Sequence, residues 1–114
     1  IRVKKNPDTV RGPDVMFISY SRLPKGPVPH GLTDVIPELA VEVLSPSNRW
    51  SKVRKKTNEY LDAGVTVVAV FDPDQASTMV YREDEFPQTF HNGDEFALPD
   101  ILPGFAVPVR RFFE

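Results

Sequence analysis

Three side chains in this sequence are of a type and spacing that could do chemistry together: Asp14, Glu42 and Lys56. Glu42 stands in the middle of Pro37-Glu-Leu-Ala-Val-Glu-Val-Leu-Ser-Pro46, an apolar run that reads as a strand covered on both faces. A bare carboxylate in such a strand costs several kcal/mol unless a cation or hydrogen-bond donors compensate it. With a side-chain period of two, Glu42 shares a face with Ala40 and Leu44, while Leu39, Val41 and Val43 point the other way. The small alanine beside the carboxylate leaves room for a ligand. Asp14 opens a second strand, expected over 14–19, on a face with Met16 and Ile18. Two carboxylates on one sheet repel, and a hard divalent cation held by their oxygens keeps both ionised. Mg²⁺, or Mn²⁺ in its place, would complete its shell with the backbone carbonyl of Val43, with waters and with phosphate oxygens. That is the arrangement phosphodiester hydrolysis needs. The metal acidifies a bound water and neutralises charge growing on the phosphoryl group, and an ammonium such as Lys56 orients the water or steadies the transition state. The basic run Arg49, Lys52, Arg54, Lys55, Lys56 would hold the substrate backbone, with Arg49, Lys52 and Lys55 as its binding residues.

The elements that must position these groups follow from periodicity. A helix is expected over 49–63, capped by Ser47 or Asn48, with Trp50, Val53, Thr57, Tyr60 and Leu61 at helical spacing and Gly64 closing it. Lys52 and Lys55 point away from that stripe, whereas Arg49 and Lys56 flank it beside Val53 and Tyr60, so Lys56 reaches back over the sheet. The β-branched run 65–71 reads as a buried central strand ended by a turn at Asp72-Pro73-Asp74. Strand, helix, strand in that order predicts a right-handed crossover and a parallel pair. A further strand is expected over 78–82, a polar connection over 83–94, and an apolar closing tail over 96–113. Residues 1–10 read as polar and irregular, and 20–36 as a long loop rich in Pro and Gly that borders the site. Glu38 is placed at the exposed start of its strand. The fold class is α/β, a mixed β-sheet with a crossover helix after the Glu42 strand.

Composition bounds the partners. At 114 residues, with 40% hydrophobic and 26% charged, the chain is expected to form one soluble domain. A net charge of −2 gives no general attraction to polyanions, so nucleic acid must be met by the local basic run. The absence of cysteine excludes disulfides, thiolate metal sites and a Cys nucleophile, and suits the cytoplasm. No apolar run approaches the ~18 residues of a membrane span, and no signal-peptide pattern opens the chain. The abrupt start at Ile1 leads us to expect an additional upstream region in the full-length protein. His30 and His91 lack ligand-spaced companions, so neither supports a zinc site or a triad. Other readings stand beside these. Asp14 after Pro13 also suits a turn or cap, a Lys/Arg-rich helix face is often simply solvated, and Glu42 could be paired structurally with Arg49 or Lys56.

Five short stretches in order resemble a known family. Gly12-Pro13-Asp14-Val15, the run 37–47, Lys56-Thr-Asn-Glu-Tyr60 with Ala63-Gly64-Val65, Phe71-Asp72-Pro73 and Leu102-Pro103-Gly104-Phe105 resemble the Uma-two family of restriction-endonuclease-like proteins, within the PD-(D/E)xK nuclease superfamily. The resemblance implies a restriction-endonuclease-like core, DNA as substrate, and Asp14 and Glu42 as metal ligands. It also allows a homodimer; the aromatic tail Phe112-Phe113 is the one candidate contact in this chain, although phenylalanines so placed are more often core. The superfamily's lysine, two residues after the acid, would fall at Leu44 here; the family's pattern moves it to the following helix, at Lys56. Position 52, often acidic in relatives, is lysine. A catalytically inactive nucleic-acid-binding or protein-interaction module on the same fold is the alternative reading.

Overall fold

The structure is a computed structural model and describes residues 1–4, 9–24, 26, 35–45 and 50–114. Its centre is β5 (Val67–Asp72), a strand buried at all six positions. β4 (Leu39–Val43) runs parallel to β5 in the register Leu39↔Val67 to Val43↔Phe71. The parallel pair requires a crossover, supplied by α1 (Trp50–Asp62). β3 (Val15–Phe17), β6 (Ser77–Tyr81) and β7 (Gln88–Phe90) add antiparallel to either side, giving the order β3-β4-β5-β6-β7. Two small ribbons complete the described elements: β1 (Arg2–Lys4) with β2 (Thr9–Val10), and β8 (Glu95–Ala97) with β9 (Ala106–Pro108), followed by a 3₁₀ turn over Val109–Phe113. The mixed sheet and crossover helix agree with the α/β class expected from sequence.

Alternation along β4 and β5 divides the core in two. Ala40, Val68 and Val70 pack against Val53, Tyr60 and Leu61 of α1. Leu39, Val67, Ala69 and Phe71 face the other way, onto Phe90, Phe96, Leu98 and Val109. The helix ends as its sequence predicts. Gly64, at φ +108, sits just past the last turn, the Gly64 N–H bonds the Leu61 carbonyl at 3.0 Å and the Val65 N–H bonds the Tyr60 carbonyl at 3.1 Å. This left-handed closure suits glycine and fixes the final turn, which carries Tyr60. Asp72 likewise closes β5, its Oδ1 accepting from the Asp74 N–H at 3.1 Å.

Several readings are corrected. Residues 1–10 are not irregular throughout, since β1 and β2 pair; strands of two or three residues are too short to show a period. The polar connection 83–94 contains β7, which buries only Phe90. Glu38 is half-buried rather than exposed, accepting the Ser19 N–H at 3.0 Å and lying 3.7 Å from Arg22 Nε. The Glu42 strand is covered on both faces at Leu39 and Ala40 but not at Val43, which is 43% exposed. Beside it Val15, Val43, Phe71, Phe105 and Phe112 line an apolar groove of about 340 Å³.

The tail is the lid of the second half-core, with Phe96 packed 5.7 Å from Phe71, 5.3 Å from Phe90 and 5.6 Å from Phe112 between ring centres. Phe96→Ala should cost about 3–5 kcal/mol. Phe86, 97% exposed, should tolerate alanine within about 0.5 kcal/mol. Urea unfolding of both variants checks the contrast, and equal effects would show that the tail does not close the core.

Candidate active site

The β3–β4 ladder pairs Val15 with Val41, Met16 with Ala40 and Phe17 with Leu39. Residues opposite each other in an antiparallel pair share a face. One step past the last pair, Asp14 therefore stands opposite Glu42, on the face that α1 covers. The side chain confirms the approach: Asp14 Oδ2 accepts the Val43 N–H at 2.7 Å. Asp14 is exposed, whereas Glu42 is only 6% exposed. The two acids thus meet at the boundary between core and solvent.

The crossover helix supplies the groups that meet Glu42. The Tyr60 hydroxyl donates to Glu42 Oε1 at 2.8 Å, and Lys56 Nζ lies 3.9 Å from the same oxygen. Residues four apart lie on one helical face, so a single turn delivers both groups. Burial pushes the Glu42 carboxyl above its ordinary value; Tyr60 and Lys56 oppose the shift, while the neighbouring Asp14 carboxylate reinforces it. Tyr60 is pushed up as well, first by burial and then by its bond to Glu42. At 3.9 Å the ammonium is too far for a direct hydrogen bond, so the hydroxyl is the closer partner.

Asp14, Glu42 and Lys56 come together. Val43 is tied to the site by its N–H, which bonds Asp14 Oδ2; the carbonyl expected from sequence as a ligand is a separate atom of the same residue. Lys52 and Lys55 are exposed on the solvent side of α1, and Arg49 lies outside the described residues, as does His30. Arg54 turns to the other flank of the helix, lining a groove with Tyr81. Tyr60 was read only as part of the apolar stripe, and its bond to Glu42 was missed. The available signal was chemical, because a tyrosine in a fully buried stripe must find an acceptor for its O–H.

The donor set suits a hard divalent cation. Tyr60 and Lys56 both act on Oε1 of Glu42, and one oxygen of Asp14 is taken by Val43, so each carboxylate keeps an oxygen free of those bonds. Among the described residues no group of three or more His, Cys, Asp or Glu gathers. Two carboxylates with backbone and water match Mg²⁺, which retains several waters. Also among the described residues, no helix is long and apolar enough to cross a membrane.

A solved structure shares this mixed sheet crossed by one helix. The chain is similar to a crystal structure from Anabaena variabilis ATCC 29413 described as "a putative nuclease belonging to DUF820", with a TM-score of 0.73 and 23% sequence identity. The similarity covers 93% of this chain and 60% of that one. Residues 1–110 match the family described as "Uma2: Putative restriction endonuclease", and the chain belongs to that family. No curated protein matches.

Because the folded state holds the Glu42 proton more tightly than the unfolded chain, this group's contribution to stability is full below its ordinary value of 4.5 and is lost as pH rises through the raised folded value. Glu42→Gln keeps an acceptor for Tyr60 without the charge. Urea unfolding in metal-free buffer from about pH 4 to 8 should show a decline in wild type that this variant lacks, leaving it the more stable protein at the upper end. Superimposable pH profiles would contradict the assignment. Tyr60→Phe, which strips a donor from a buried carboxylate, should cost about 1.5–3 kcal/mol at pH 8 by the same measurement.

Proposed function

We propose that this chain is a metal-dependent endonuclease that hydrolyses phosphodiester bonds in DNA. Membership of the family supports a nuclease-like function. The observation that carries the finer reading is the meeting of Asp14 and Glu42 on one face of adjacent strands, beneath the helical turn that delivers Lys56. In this reading Asp14, Glu42 and the Val43 carbonyl would hold Mg²⁺ or Mn²⁺. When bound, the ion supplies an acidified water and neutralises charge on the scissile phosphate.

The remaining work belongs to the chain. Tyr60 holds Oε1 of Glu42, so that the carboxylate presents its other oxygen in a fixed orientation. The Val43 N–H does the same for Asp14. Lys56, 30% exposed, can turn from Glu42 toward a phosphate oxygen without leaving the helix face, and its ammonium stabilises the charge that develops there. Lys52, Lys55 and Arg49 engage the backbone electrostatically, which gives affinity without sequence preference and makes it fall with salt.

The test is cleavage of plasmid and linear DNA in Mg²⁺ or Mn²⁺. Glu42→Ala should lose about 100-fold or more of the rate and Lys56→Ala about 10²–10³-fold, and a chelator should abolish cleavage. Equal rates in wild type and Glu42→Ala remove the enzyme reading. Salt-sensitive DNA binding with no cleavage in either metal points instead to the inactive module on the same fold.

A further inference from the structure

We propose that the Arg11–Glu59 ion pair is a positioning clasp that holds the Asp14 segment against the helical turn bearing Lys56 and Tyr60, an inference that rests on the reading of Asp14 and Glu42 as a ligand pair. The need for such a device is visible in the structure. Asp14 is exposed, and the strand it opens is an edge strand of three residues whose Val15 and Met16 are 58% and 41% exposed. Just before it, a Cβ placed on Gly12 would meet nothing within 4 Å, so that side of the chain borders open space.

Arg11, three residues before Asp14, spans the gap. Its Nε donates to Glu59 Oε2 at 2.8 Å and its Nη2 to Oε1 at 3.5 Å, a two-pronged contact between a part-exposed guanidinium and a carboxylate only 12% exposed. A planar fork restrains direction as well as distance, which a lysine would not. The backbone of Arg11 is anchored independently, its N–H bonding the Ile1 carbonyl at 2.8 Å, and Ile1 is buried against the helix-side core. Glu59 immediately precedes Tyr60 and lies three residues beyond Lys56, so the same turn of α1 grips the Asp14 segment with one side chain and Glu42 with two others. The acids of the two strands are therefore referenced to one rigid element rather than to each other alone. Repulsion between the two carboxylates, which opposes their approach, is resisted by that shared anchor.

Arg11 touches neither reacting group, so its effect must be read where Asp14 is. The Val43 N–H, bonded to Asp14 Oδ2, reports that position without metal or substrate. The experiment compares wild type, Arg11→Glu, Glu59→Arg and the charge-swapped double variant by amide hydrogen exchange and by Mn²⁺ titration, with thermal unfolding as the check that all four fold. In Arg11→Glu the Val43 amide should exchange about 10-fold faster and Mn²⁺ should bind about 10-fold more weakly, the effect of losing a group that orients a metal ligand, while the amides of β5 stay as in wild type. The double variant should recover most of both losses. Wild-type exchange at Val43 in Arg11→Glu, or a double variant no better than the single ones, overturns the clasp. Failure of wild type to take up Mn²⁺ counts against the nuclease reading instead, and the Val43 amide still decides the clasp.

Discussion

The burial of one carboxylate is the constraint around which this structure is arranged. Glu42 lies in the strand beside the most buried strand of the sheet, where an isolated charge is costly. The chain meets part of that cost with one short hydrogen bond from Tyr60 and one loose ion pair from Lys56, while the neighbouring Asp14 adds to it. The compensation is incomplete. The carboxyl remains pushed upward, and a cation shared with Asp14 would relieve both the burial and the repulsion.

The architecture explains why one helical turn can serve so many roles. A parallel β4–β5 pair needs a crossover, and the crossover must lie over the face that carries Ala40 and Glu42. Helical period then decides which side chains descend: Val53, Thr57, Tyr60 and Leu61 pack, Lys56 sits at the margin, and Lys52 and Lys55 face solvent. The glycine closure at Gly64 stops the helix where Tyr60 meets the acid. The other face of the sheet is built differently, from a tail whose phenylalanines pack on Phe71 and leave an apolar groove open near Val43. Chemistry and tail packing thus occupy opposite faces of the same strands.

The Arg11–Glu59 contact extends this logic beyond the core. Asp14 is exposed, and an exposed edge strand is poorly held by packing. A directional ion pair to the helix is one of the few restraints compatible with that exposure, because it acts through the surface without covering it.

From the sequence alone, the α/β class, the helix with its closing glycine, the central strand and the shared face of Ala40, Glu42 and Leu44 were all legible, because each rests on a local period or a turn residue. Glu42 was legible as an acid placed where the apolar pattern has no use for one and Lys56 as a base flanking the apolar stripe of its helix, whereas Asp14 equally suited a turn or cap. The short ribbon of β1 and β2, the strand at Gln88–Phe90 and the exposure of Val43 were not, since two or three residues carry no period and coverage depends on distant segments. Nor was the partner of Glu42 legible. A tyrosine in an apolar stripe announces only that its hydroxyl needs an acceptor, and which acceptor it finds is settled by the register of β4 against β5 and the pitch of the helix above them. Tertiary structure decided the pairings, Tyr60 with Glu42, Asp14 with Val43 and Arg11 with Glu59, because each joins residues at least 18 positions apart that only the folded sheet brings within hydrogen-bond reach.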